Sequence, residues 1–162
     1  MSRAPLPAGA EEAIWRGLLV LGALLAVLGA LDMAVLWLPT NLGAPEWGFG
    51  TVSTSFDTFP QFGLGIALLL AASVALGLRW TTRWLAIVCL LTSMLLWLAG
   101  FLYLTSLPFM FQVNAAPSVR FHVEKATAKT ALQALVYPLL LLLLALRGWR
   151  VTLARADAEV TE

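Results

Sequence analysis

Asp32 stands alone as a charge inside a long apolar run: residues 17–38 contain no other ionisable side chain. A charge within a membrane-spanning helix costs roughly 2.5–3.5 kcal/mol on insertion scales, so it calls for a partner or a task. A second polar set lies far along the chain, where His122, Lys125, Lys129, Gln133 and Tyr137 follow one another at steps of three or four. That spacing places them on one stripe of a helix. Counted from the ends of their apolar runs, Gln133 falls at about the depth of Asp32, with Lys129 one turn farther out. Asp32, Lys129, Gln133 and Tyr137, with Tyr103 as a further candidate, therefore form the expected intramembrane polar site. A carboxylate, an ammonium, an amide and a phenol at one depth have the chemistry of an ion pair, a proton path or a polar ligand pocket. Pro138, next to Tyr137, would kink its helix and free a backbone carbonyl for the same cluster. A structural reading competes: Asp32 pairs for stability, and Lys125 and Lys129 anchor at the interface. It is the more economical, because Lys and Tyr at a membrane boundary are routine.

Other chemistry has little material. The chain holds one cysteine, Cys89, and one histidine, His122. A lone thiol excludes an internal disulfide and a CxxC redox or zinc motif, and one histidine lacks companion ligands for a metal or haem. No nucleophile–base pair, paired carboxylates or phosphate-binding loop is visible, so neither catalytic residues, metal nor cofactor are expected. The formal net charge of +1 gives no reason to expect nucleic acid as a partner.

The elements that must carry these residues are membrane helices. Of 162 residues, 60% are hydrophobic and 12% charged, against about a quarter charged in an average soluble domain. Such an apolar excess has to face lipid, because a small domain keeps much of its surface exposed. Four runs meet the ~20-residue length of a transmembrane helix: residues 14–38, 59–78, 84–104 and 127–146. The fold expected is an all-α integral membrane protein, a single four-transmembrane-helix bundle. The first run is too long for the apolar region of a cleaved signal peptide.

Positive charge sets the expected orientation. Arg3, Arg16, Arg79, Arg83, Arg147, Arg150 and Arg155 fall on one side and only Arg120, Lys125 and Lys129 on the other, so both termini are expected in the cytoplasm. Tryptophans favour the membrane interface: Trp15, Trp80, Trp84 and Trp149 would mark the inner belt, Trp37 and Trp47 the outer. The short 79–83 turn makes the second and third spans antiparallel neighbours. Two outer loops follow, 39–58 and 105–126. In the first, Val52, Thr54 and Phe56 alternate with Thr51, Ser53 and Ser55, a pattern that permits a short β-hairpin. The ends, 1–10 and 155–162, are expected to be disordered.

Small residues let membrane helices approach closely. Gly63, Ala67, Ala71 and Ala75 recur every fourth position, and Gly22, Ala26 and Gly29 or Ala30 offer a matching surface on the first span. The ridge is expected to seat the first span or a second copy of the chain.

Cysteine content excludes tetraspanins, claudin-like proteins and disulfide-generating four-helix oxidases, all of which need pairs. The layout, with Arg79, Trp80 and Arg83 in a tight turn and Arg147, Trp149 and Arg150 after the fourth span, resembles DoxX-type four-helix proteins in outline, with no motif that transfers a residue role. The function expected is that of a non-catalytic accessory or assembly subunit of a larger membrane complex. The alternative is a small transporter or a lipid- or small-molecule-binding protein using the polar site around Asp32. Lipids and other membrane subunits, or further copies of the chain, are the expected partners, and the Leu-, Ala- and Arg-rich composition suits a bacterial inner membrane.

Overall fold

A computed structural model describes residues 9–38, 40–41, 44–114 and 116–160. They form four helices in chain order, α1 (Ala10–Leu36), α2 (Pro45–Ala75), α3 (Arg79–Val113) and α4 (Pro117–Val160), with no strand among the described residues. All four are long and apolar enough to cross a bilayer.

The hairpin expected between residues 51 and 56 is absent, because the segment is helical within α2. A few alternating residues fit a period of two, but the longer stripe Val52, Ser55, Phe56, Phe59 and Phe62, all buried, follows the helical period. Pro45 occupies a first-turn position, where its missing N–H costs nothing. The hydroxyls of the expected hairpin bond back to their own helix instead: Ser55 Oγ donates to Thr51 O at 2.7 Å and Thr54 Oγ1 to Gly50 O at 2.9 Å. Most of the expected first outer loop, 39–58, is thus α2. The second, 105–126, is mainly the end of α3 and the start of α4.

The chain ends divide similarly. Residues 1–8, where N-terminal disorder was expected, lie outside the described residues, as do 161–162. Residues 155–160 were expected to be disordered but continue α4. Ala, Arg and Glu there are good helix formers, and extending an existing helix needs no new nucleus.

The 79–83 segment is the first turn of α3, and the reversal precedes it. Gly77 adopts φ 70°, a left-handed conformation that glycine takes without strain. Leu78 N–H then reaches Ser73 O at 2.8 Å and Gly77 N–H reaches Val74 O at 3.2 Å, the pair of bonds that closes a Schellman helix end. This three-residue reversal makes α2 and α3 antiparallel neighbours.

α2 is the centre of the bundle, packing against α1, α3 and α4, while α3 also packs against α4. No Cα of α1 comes within 8 Å of α3 or α4. The core is built from Phe56, Phe59, Phe62 and Ile66 of α2 with Leu96, Tyr103 and Leu141 from the two helices beyond. Between α3 and α4, Ser93 Oγ donates to Pro138 O at 2.9 Å, so the proline-containing segment of α4 is held by a hydrogen bond from its neighbour.

α1 meets α2 through Gly22, Ala26 and Gly29, all buried, as expected for the first span. Its partner surface differs from the ridge of Gly63, Ala67, Ala71 and Ala75. Ala71 and Ala75 are exposed, and a Cβ on Gly63 would meet only the ring of Phe59 from its own helix. Steps of four residues turn by about 40° each around a helix of 3.6 residues per turn, so the ridge winds away from any one neighbour. The contact runs instead through Phe62, Gly65 and Leu69.

Candidate functional site

The polar stripe on α4 does assemble a cluster, and the acid it gathers is Asp57. Lys129 Nζ lies 2.7 Å from Asp57 Oδ1. Gln133 Nε2 donates to the same Oδ1 at 3.1 Å and toward Tyr137 Oη at 3.4 Å. The amide must present its N–H₂ to the carboxylate, since the opposite flip would set two acceptors face to face. Its Oε1 is buried with no partner among the described residues. The Tyr137 ring stacks on Phe59 at 4.9 Å between centroids, which fixes the inner end of the stripe.

Asp32 takes no part. It is exposed on α1, a helix that does not approach α4, and it makes no hydrogen bond or ion pair among the described residues. Equal depth was a necessary condition for pairing and not a sufficient one, because azimuth around the bundle decides which helices meet. Tyr103 is also apart from the cluster. Buried to 1% exposure, it stacks on Phe49 at 5.0 Å and its hydroxyl points at Thr127 Oγ1, 3.5 Å away. Nearby, the hydroxyls of Ser53 and Thr130 bond across α2 and α4 at 3.1 Å.

From sequence, Asp57 reads with Glu46 and Trp47 as part of a partner surface in the outer loop 39–58 and not as a member of the polar site. One signal in the sequence pointed to it. The second and fourth spans run in the same direction, so their entrances are level, and Asp57 stands two residues outside the one and Lys129 two residues inside the other, about one helical turn apart and within reach of a lysine stem.

The pair is about half exposed, with side chains 43% and 58% exposed for Asp57 and Lys129. Screened pairs of this kind contribute about 0–1 kcal/mol, which suits a clamp between the ends of α2 and α4. We therefore expect Asp57→Ala and Lys129→Ala to couple by no more than about 1 kcal/mol in a double-mutant cycle read by detergent-phase unfolding. A coupling of several kcal/mol would contradict an exposed, weakly held clamp.

The polar cluster does not line a second, larger recess. That recess is an apolar cleft of about 730 Å³ between α1 and α3, floored by α2. Met33, Trp37, Phe56, Phe62, Leu95 and Ala99 form much of its wall, and Asp32, Asp57 and Lys129 are absent from it. Trp37 closes one end, its Nε1–H donating to Ser55 Oγ at 3.1 Å and its ring meeting Trp47 edge to face at 5.4 Å. His122 is exposed beside the Phe121 ring, and Arg120 pairs with Glu124 at 3.0 Å on the same exposed face. At the other end of the bundle Trp80, Trp84 and Trp149 are exposed.

Four apolar helices of spanning length, joined by short connections, are the arrangement of a multi-pass membrane protein with an all-helical bundle. Comparison with protein families, curated proteins and solved structures finds no match for the chain.

Proposed function

We propose that this chain is a non-catalytic accessory or assembly subunit of a larger membrane protein complex, set in a bacterial inner membrane with both termini in the cytoplasm. The helices that project past the bilayer carry the reading. α2, α3 and α4 contain 31, 35 and 44 residues, where ~20 cross the hydrocarbon. Measured from the reversal at Gly77, α2 leaves the apolar core near residue 56 at ~1.5 Å per residue. Residues 45–56, 105–113 and 117–126 then form a helical cap that α1 touches only through Trp37 at its end. Val113 and Phe121, in that cap, are 61% and 63% exposed. Apolar side chains held outside the lipid on rigid helices suit contact with another protein.

Mild solubilisation of native membranes and affinity capture of the full chain tests this. One or more membrane proteins should be recovered in near-stoichiometric amount, and Phe121→Asp should reduce that recovery while leaving the abundance of the chain unchanged. Recovery of a lone monomer from native membranes would overturn the proposal.

The cleft favours a second reading, a site for a lipid or an apolar small molecule. Its volume falls within the ~300–1,000 Å³ of ligand pockets, and its apolar wall fits such ligands. Native mass spectrometry should then find a retained lipid or other apolar ligand that Ala34→Leu, on the cleft wall, displaces; an empty protein in both forms would remove this reading. Asp32, outside the cleft, has no part in it.

A further inference from the structure

Asp32 is an exposed carboxylate on the outward side of a spanning helix, and no group among the described residues pairs with it. Its depth follows from the antiparallel register of α1 on α2. A Cβ on Gly22 would meet Gly65 and Leu69, one on Gly29 would meet Phe62, and Trp37 bonds to Ser55. Asp32 is accordingly level with the α2 backbone near Phe59, just inside the half-exposed Asp57. From the other side, it lies about 24 Å along α1 from Arg16, at ~1.5 Å per residue, in a core about 30 Å thick.

Among the described residues no cation is placed to pair with Asp32. The chain has two lysines, Lys125 and Lys129. Lys129 is engaged with Asp57 at 2.7 Å, and Lys125 stands one turn farther out on the same helix, which α1 does not approach. Arginines in the described helices sit at the Arg79 end or, as Arg120, in the cap, paired with Glu124. A cation for Asp32 has to come from another molecule.

The surface around Asp32 has the form that a helix would meet. Ile14, Leu18, Leu21, Leu25, Leu28, Asp32 and Val35 recur at alternating steps of four and three, the seam spacing of paired helices. Ile14, Leu21, Leu28 and Val35 are each about half exposed or more. At ~100° per residue this seam is on the flank of α1 opposite Ala30 and Ala34, which face the cleft. A single polar residue in such a seam fixes register and partner choice.

Resting on the subunit reading above, we infer that the Asp32 flank of α1 docks a transmembrane helix of a different protein, one that carries a Lys or Arg level with Asp32. A second copy of this chain is disfavoured by charge, since a two-fold pairing of α1 helices along this seam would set Asp32 against Asp32. The lysine or arginine of a different chain supplies the opposite charge and completes the hydrogen bonds of a carboxylate that would otherwise face lipid.

Capture from native membranes, with a photo-crosslinking residue at Leu28 or at Ala30, tests this on the full chain. The Leu28 probe should trap one spanning protein with a basic residue inside a span, and the Ala30 probe should not. Asp32→Lys should lower recovery of that protein by about tenfold or more, and replacing its basic residue with Asp should restore recovery. Asp32→Leu, which removes the charge without straining the helix, should lower recovery at unchanged abundance of the chain. Recovery unaffected by Asp32→Lys would leave the subunit reading standing and overturn this inference. A trapped helix without a basic residue, or a Leu28 crosslink to a second copy, would overturn it as well. No membrane protein captured by the unmodified chain would overturn the subunit reading itself.

Discussion

Gly65→Leu should detach α1 from the rest of the bundle. A Cβ at this position would press on Ala26 N, and would lie 2.8 Å from both Ala26 Cα and Gly22 O. All three are backbone atoms, so no rotamer change relieves the overlap. The reciprocal positions are as tight: a Cβ on Gly29 would stand 2.7 Å from Phe62 N, and one on Gly22 would stand 2.9 Å from Gly65 O. Overpacking in a rigid contact costs about 1–3 kcal/mol, occasionally more. α1 has no other neighbour to hold it, and lipid replaces lost apolar contacts without hydrophobic penalty, so that cost falls on its sole attachment. Cysteines introduced at Trp37 and Ser55, in a Cys89→Ser background, give a readout by short-bismaleimide crosslinking and intact mass. The crosslink should form efficiently in the parent and be largely lost in Gly65→Leu. Gly17→Leu, where a Cβ meets nothing within 4 Å, and Ala71→Leu, on an exposed position, should retain it. Loss of the crosslink in Ala71→Leu would reinstate the four-step ridge as the contact.

Tyr103→Ala should be the most destabilising single truncation in the α2–α3–α4 unit. Tyr103 is 1% exposed and stacks on Phe49 with an interplanar angle of 21°. Removing a buried aromatic ring costs about 3–5 kcal/mol where the surroundings cannot collapse into the space. Collapse is hindered here because the Ser53–Thr130 bond ties α2 to α4 on the same side of the bundle. Tyr103→Phe separates ring from hydroxyl. The Thr127 contact at 3.5 Å is at the limit of a useful hydrogen bond, so its loss should cost below about 1 kcal/mol. Unfolding in detergent should place Tyr103→Phe near the parent and Tyr103→Ala far below it. Equal losses would transfer the weight from ring stacking to the hydroxyl.

Together the two variants separate the molecule into its mechanical parts. α2, α3 and α4 share a core of aromatic rings and inter-helix hydroxyl bonds. α1 is attached to α2 alone, through the glycine contact and the Trp37–Ser55 bond, and most of its remaining circumference is exposed. A docking function on the cap and on the Asp32 flank uses both parts without demanding a catalytic group.

What the residues determined by themselves is the class of element and its number. Runs of twenty or more apolar residues have one stable form in lipid, since every backbone N–H and C=O must be bonded within the span, and the four runs in this chain became four helices. The glycines of α1 were legible for the same local reason: a face without side chains is where another backbone can approach. The ends of the helices were less legible. Pro45, Ser53, Ser55 and Thr54 have turn propensities, and only the burial of Val52, Phe56 and Phe59 against α3 and α4 decides that they are helical. Partner choice was decided by tertiary structure alone. Depth along the membrane normal can be counted from sequence at a fixed rise per residue, but the angle at which each helix sits around the bundle cannot. Lys129 and Gln133 consequently found Asp57 on a parallel neighbour, and Asp32, at nearly the same depth on a helix that reaches only α2, was left facing outward.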